Sequence, residues 1–196
     1  MSTKINASTA GSGGLIYTSD SSGILELQSG GVTKVTINSS GVFIPGHPIQ
    51  IVNYQTGAVA TGTTQMPYDD TIPQITEGDQ YMSLEITPKS ASSKLLISVV
   101  VYIASTSAST TFQMALFQDS TANALAAGSM YPGGATNTLE LMTFNHLMTS
   151  GTTSATTFKV RIGSNQASTT TFNGSASARL MGGVYASSIT ITEYAQ

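Results

Sequence analysis

Between Leu95 and Ala104 every residue except Ser98 is apolar or aromatic, and Leu95, Ile97, Val99, Val101 and Ile103 recur with a period of two. That period belongs to a strand, because successive strand side chains point to opposite faces. The run is too short to cross a bilayer, so it reads as a strand buried in a protein. The same period returns along the chain. Met82, Leu84 and Ile86 alternate with Tyr81, Ser83, Glu85 and Thr87. Phe112, Met114 and Leu116 follow; Phe158, Val160 and Ile162 face in while Lys159 and Arg161 point out; Ile189 and Ile191 close the series. With Ile49–Tyr54 and Leu139–Met148, about eight strands fill residues 49–196, spaced by Pro67, Pro73, Pro88, Pro132-Gly133-Gly134, Gly151 and Gly163. No segment has helical periodicity; the Ala-rich piece Thr121–Gly128 has room for one helical turn but reads better as strand or loop. The pattern predicts an all-β chain with a sandwich or jelly roll.

Composition supports the same class. Only 9% of the 196 residues are charged, while Ser and Thr supply 56 and Gly 19. Low charge accompanies disorder in many chains, but 40% apolar residues are enough to build a core. The absence of Cys excludes disulfides, thiol catalysis and Cys-based metal sites. Seven basic against ten acidic residues leave no broad basic surface for phosphates, so no nucleic-acid partner is expected. Residues 1–13 hold no apolar signal region and no stretch suits membrane insertion, so the expectation is a soluble protein made in a cytoplasm.

Residues 1–48 differ from the rest. Leu15-Ile16-Tyr17, Ile24–Leu27, Val32–Ile37 and Val42-Phe43-Ile44 are short apolar or alternating runs, separated by clusters such as Ser19-Asp20-Ser21-Ser22-Gly23 and Asn38-Ser39-Ser40-Gly41. They predict three or four short strands. Such a segment cannot bury enough apolar area to offset an ordering entropy of about 1–2 kcal/mol per residue. It is expected to intertwine with sister chains or lie on another protein, as an anchor or stalk that buries Leu15, Ile16, Leu25, Leu27, Val35 and Ile37. Residues 49–196 then form a self-sufficient knob, with the boundary near Pro45-Gly46-His47-Pro48.

Some knob strands are apolar on both faces. Leu96, Val100 and Tyr102 lie opposite the Leu95/Ile97/Val99 face, and Met142, Phe144 and Met148 lie opposite Leu139/Leu141. Either loops cover these residues or a sister subunit does. The second reading makes all six a trimer interface, since large exposed apolar patches are uncommon on monomers.

Chemistry is sparse. His47 and His146 stand 99 positions apart and form no metal-binding spacing. Asp69 and Asp70, with Glu77 and Asp79 nearby, are the one carboxylate group, but their spacing matches no Ca²⁺ loop. A glycosidase pair is disfavoured by the absence of Trp for sugar stacking. The Gly pairs 13-14, 30-31, 133-134 and 182-183 are isolated, and Gly11-Ser12-Gly13 lacks the strand–turn–helix setting of a nucleophile elbow. The triplets Asn6-Ala7-Ser8 and Asn173-Gly174-Ser175 carry no weight without an export signal. No catalytic residue, metal site or cofactor is expected.

Two sets of segments resemble a known group of proteins. Gly13–Gly31 (GGLIYTSDSSGILELQSGG) with Val35–Gly41 (VTINSSG) resembles the shaft or anchor repeats of tailed-bacteriophage fibres. Asp69–Gln74 with Thr76-Glu77-Gly78, Ile86–Ala91 with Lys94–Ile97, Ala115–Ser120, Ser154–Arg161 and Ser188–Glu193 resemble the trimeric jelly-roll knobs of phage virion surfaces. The resemblance implies a non-enzymatic homotrimer with a tumour-necrosis-factor-like jelly roll on a virion surface. Its implied partners are its own copies, the major capsid protein and a host surface glycan or receptor. A short anchor without a long shaft or tail-attachment domain suits a capsid decoration or cement protein, which stabilises the shell. The alternative is a tail-fibre tip that binds the host.

Overall fold

The computed structural model of the chain describes residues 2–7, 15–18 and 20–196, and the side chains of residues 6, 7 and 15–17 lie outside that description. Every regular element described is a strand, apart from one short turn of 3-10 helix at Met181–Gly183.

Five short strands come first: β1 (Thr3–Ala7), β2 (Leu15–Thr18), β3 (Leu25–Ser29), β4 (Val32–Asn38) and β5 (Gly41–Phe43). They form one sheet in the order β2-β1-β3-β4-β5. β1 runs parallel to β3, and the other pairs are antiparallel. Gly30-Gly31 turns β3 into β4, and both glycines have the positive φ that a two-residue hairpin demands.

The remaining strands are β6 (Pro48–Thr56), β7 (Ala60–Gly62), β8 (Asp79–Ile86), β9 (Lys94–Ser105), β10 (Phe112–Gln118), β11 (Ala126–Met130), β12 (Glu140–Thr149), β13 (Thr156–Ser164), β14 (Thr170–Phe172), β15 (Gly174–Ser175), β16 (Ala178–Arg179) and β17 (Ser187–Tyr194). Eight of them carry the architecture. One sheet runs β6-β17-β9-β12, with β14 and β7 continuing it beyond the end of β17. The other runs β8-β13-β10-β11. Numbering the eight in chain order, the two sheets read 1-8-3-6 and 2-7-4-5. That is the strand order of a jelly roll. The chain is all-β, with a jelly-roll sandwich as its main body.

The core follows from the period of two. In β9 the odd residues Leu95 to Ile103 are at most 1% exposed. They meet Ile189 and Ile191 of their own sheet and Met114, Leu116, Phe158, Val160 and Ile162 of the facing one. Lys159 and Arg161 point outward, as the alternation predicts. Tyr81 stacks on Phe172 with ring centroids 4.9 Å apart, and its hydroxyl meets Thr170 Oγ1 at 2.6 Å. Burial pushes the Tyr81 phenol up to about 12, while the Thr170 bond pulls the other way.

β10 is buried on both faces from Phe112 to Phe117. Its inner residues enter the main core. Ala115 and Phe117, on the outer face, pack against Met66 and Ile75. These last two belong to residues 63–78, a strap laid across the outside of the second sheet. Met66 N–H donates to Ser164 O (3.1 Å), and Arg161 donates through Nε to Glu77 O (2.8 Å) and through Nη2 to Gly78 O (2.6 Å). Gly163 permits the close approach, since a Cβ there would stand 2.7 Å from Met66 N and Thr64 O.

Candidate functional site

Three features of the surface bear on function: the N-terminal sheet, the outer face of the β9 sheet, and the scattered polar groups.

The N-terminal sheet is two-faced. Register pairs Leu25 with Ile37, Leu27 with Val35, Ile5 with Leu27, and Ile37 with Val42. Cross-strand partners share a face, so Ile5, Leu25, Leu27, Val35, Ile37 and Val42 form one apolar field. The opposite face is polar. There Lys4 Nζ stands 3.5 Å from Glu26 Oε2, and Gln28 Nε2 donates to the same oxygen (3.1 Å) and to Thr33 Oγ1 (3.2 Å). Thus four expected anchor residues, Leu25, Leu27, Val35 and Ile37, come together, joined by Ile5 and Val42. The β2 register sets Leu15 against Ala7 and Ile16 against Asn6; the side chains of Leu15 and Ile16 lie outside the described ones. Among the described residues, no side chain from 2 to 65 is buried. Ile37 is 36% and Val42 52% exposed. Each would contribute roughly 1.5–3 kcal/mol on full burial, and among the described residues that contribution is realised only in part. Backbone bonds join this sheet to the sandwich end, Gly46 N–H to Ala195 O (2.8 Å) and Ala195 N–H to His47 O (3.0 Å).

The outer face of the β6-β17-β9-β12 sheet is also open. Ile51, Thr192, Leu96 and Leu147 line up across all four strands by register. The next row is Asn53, Thr190, Ser98 and Asn145, and the one after it Gln55, Ser188, Val100 and Thr143. None of these twelve residues is charged. Ile51 is 63% and Leu147 61% exposed. Tyr102 continues the apolar set and touches Tyr185, centroid to centroid 5.0 Å.

Leu96, Val100 and Tyr102 stand on this outer face, as expected. The expectation for β12 needs correction: Met142, Phe144 and Met148 point into the sandwich. Met142 is 4% exposed, and Phe144 and Met148 pack on the main core. Register pairs Met142 with Val101 and Met148 with Leu95, both core residues of β9, which fixes that face as the inner one. The outward residues of β12 are Leu141, Thr143, Asn145, Leu147 and Thr149.

The acids do not converge. Asp69 Oδ1 accepts from Thr71 Oγ1 (2.6 Å) and Thr71 N (2.8 Å), and these bonds hold its carboxyl below the usual range. Glu77 Oε2 accepts from Gln74 N (2.9 Å), and Asp79 accepts from Thr64 N and Oγ1 (2.9 and 2.8 Å). Each shapes its own turn, and among the described residues no three metal-ligating side chains group together. His47 is exposed, with Nδ1 3.4 Å from Pro45 O. His146 sits on the inner face of β12, where burial lowers its pKa.

Of the buried polar residues that the sequence reading does not mark, Glu193 and Gln113 matter most. Glu193 is fully buried, and its Oε1 accepts from Ser93 Oγ (2.6 Å), Lys89 N (2.8 Å) and Ser90 N (3.3 Å), which pins the turn before β9. The signal was present: Ile189, Ile191 and Glu193 share one parity. Gln113 on β10 is 5% exposed, with neither amide atom partnered among the described residues.

No family model matches the chain, and no curated protein matches it. Among solved structures it is similar to a chain of the infectious bursal disease virus Gx strain, at 17% identity and TM-score 0.41, over 82% of this chain and 41% of that one. It is similar to the VP2 subviral particle of the same virus at 16% identity and TM-score 0.39, over 83% and 47%. It is also similar to Eiger TNF from S. frugiperda, at 10% identity and TM-score 0.36, over 76% and 95%. The chain spans less than half the length of the two viral chains. The jelly roll stands on this chain's own strand order and not on these likenesses.

Proposed function

We propose that this protein is a non-enzymatic structural component of a tailed-bacteriophage virion, working as a homotrimer that decorates and stabilises the capsid. The observation that carries the reading is the apolar face of the N-terminal sheet. It holds six aliphatic residues from four strands, and the described chain buries none of them. A face of this kind is a liability for a free protein and a natural attachment surface for one that sits on a shell. The jelly roll supplies a self-contained body to face outward. Its outer face on the β9 sheet, uncharged apart from Lys94 at one end, is the surface for sister copies, with Leu96, Val100 and Tyr102 joined by Ile51 and Leu147. Closed cyclic symmetry would bury three such faces around one axis, and three anchors on one trimer would add avidity.

The test is stoichiometry on purified particles. Gel densitometry against the major capsid protein is expected to give hundreds of copies per particle. A ratio far below one trimer per ten capsid subunits would reject the decoration role and leave the tail-fibre tip.

A further inference from the structure

The strap that covers β10 is firmly held at its ends. Besides the Met66 and Arg161 bonds, Gly78 N–H donates to Gln65 O (2.9 Å), and Ala124 N–H donates to Pro73 O (2.9 Å). Its middle is different. Residues 67–71 make no hydrogen bond to the rest of the chain among the described residues, only the turn bonds from Thr71 to Asp69. Beneath this middle part lies Gln113.

A carboxamide brings two donors and an acceptor, and burial normally requires them to be met. At Gln113 both the nitrogen and the oxygen are unmet. Turning the amide over would not help, because neither end has a partner. The residue lines a cleft of about 190 Å³ together with Tyr68, Asp69, Thr71 and Ser129. A second cleft of about 290 Å³ shares Asp69, Thr71, Pro73 and Ala127 with the first and runs on past Asp70. The two make one groove between the strap and β11.

We propose that this groove binds a neutral, hydroxyl-rich ligand of the saccharide class, with the Gln113 carboxamide as its floor contact. The lining chooses the class. It contains the carboxylates of Asp69 and Asp70 and no basic residue, so phosphate, sulfate and carboxylated sugars are repelled. A carboxamide, a carboxylate and the Ser129 hydroxyl together offer the mixed donors and acceptors that neighbouring hydroxyls need. The Tyr68 side chain, 65% exposed at the rim, offers a ring face to the C–H side of a sugar. The combined space suits one or two sugar rings. Because the amide atoms lie covered by the strap, the ligand reaches them by a small outward shift of Pro67–Thr71, the part that no hydrogen bond ties to the rest of the chain among the described residues, and that part stays as the groove's wall. This role is separate from shell binding and does not depend on where on a particle the protein sits.

The full-length protein should be screened on an array of neutral and sialylated oligosaccharides, and the strongest neutral ligand followed by titration calorimetry beside sialyllactose. A neutral sugar is expected to bind with a Kd of about a millimolar or tighter, and sialyllactose to fail. Gln113→Met should weaken the neutral sugar at least about tenfold, because a floor contact is lost. Its thermal midpoint should hold or rise, because an apolar side chain of similar length leaves no unmet polar atom. Tyr68→Ala should weaken binding without changing the midpoint. Failure of every neutral sugar at millimolar concentration would overturn the proposal. So would binding of sialyllactose alone, or a Gln113→Met protein that melts earlier but binds unchanged. Light scattering on the same samples reads the trimer independently, so a failure here leaves the virion role standing.

Discussion

The outer face of the β8-β13-β10-β11 sheet is roofed by residues 63–78, whereas the outer face of the β6-β17-β9-β12 sheet has no such cover. Phe117 on the first face is fully buried; Leu147 on the second is 61% exposed. The two faces come from strands equally rich in apolar residues, so hydrophobicity alone does not set their fate. What differs is the connection. The β7–β8 segment is long enough to cross its sheet, and Gly163 lets it lie flat, while the hydroxyls and amides of Ser98, Asn145 and Thr190 keep the other face mixed. A mixed face whose one charge, Lys94, lies at its end suits contact with another copy better than contact with a strap of its own chain. The N-terminal sheet extends the contrast: among the described residues its apolar field is uncovered too, and no second layer lies on it.

The largest effect is expected where the open face is charged. Leu96→Asp combined with Leu147→Asp should leave a folded jelly roll, because neither side chain is in the core, but reduce the proposed trimer to monomers. Sedimentation velocity checks this, and an unchanged trimer would break the comparison. On the roofed face the opposite is expected. Phe117→Ala should lower unfolding stability by about 3–5 kcal/mol in chemical denaturation while the oligomeric state stays the same.

Inside the sandwich, Tyr81 sharpens the distinction between core and surface. Its phenol is raised in the folded state, so its contribution is fully present below about pH 10, the ordinary tyrosine value, and is lost as pH rises through about 12. Allowing for partial exposure, the loss should be about 2 kcal/mol over that window. Tyr81→Phe should remove this part of the alkaline dependence. The smallest effect concerns His146. Its pKa is lowered by burial, so the neutral ring favours folding above the ordinary value of 6.5 and that support fades as pH falls below it. His146→Gln should flatten the acid side of the stability profile slightly, as read by thermal melts from pH 7 to pH 5.

Much of this was legible in the sequence. The period of two identified β8, β9, β10, β13 and β17 and the inward parity of each, except at Tyr81, which the sequence set opposite Met82 and which packs on the core where the register shifts at Val160/Arg161. It did not identify β1, because Thr3–Ala7 has a single large apolar residue, Ile5, and owes its place to pairing with β3. The strands β7 and β14 to β16, at two or three residues each, are too short to show any period. β12 exposes a different limit. Alternation separates Leu141 and Leu147 from Met142, Phe144 and Met148, but both sets are apolar, and only the pairing of Met142 with Val101 decides which set is inside. Leu25, Leu27, Val35 and Ile37, expected as anchor residues, are readable as one stripe per strand; that Ile5 and Val42 complete their field depends on a parallel pairing and a hairpin register. The unmet amide of Gln113 is a property of the strap above it, and no local pattern announces it.

The central claim is that the open faces are interfaces between chains, and the mass of the free protein tests it most directly. Multi-angle light scattering of the full-length protein at micromolar concentration should give about three times the chain mass of 20.2 kDa. A monodisperse species at the mass of one chain would contradict it.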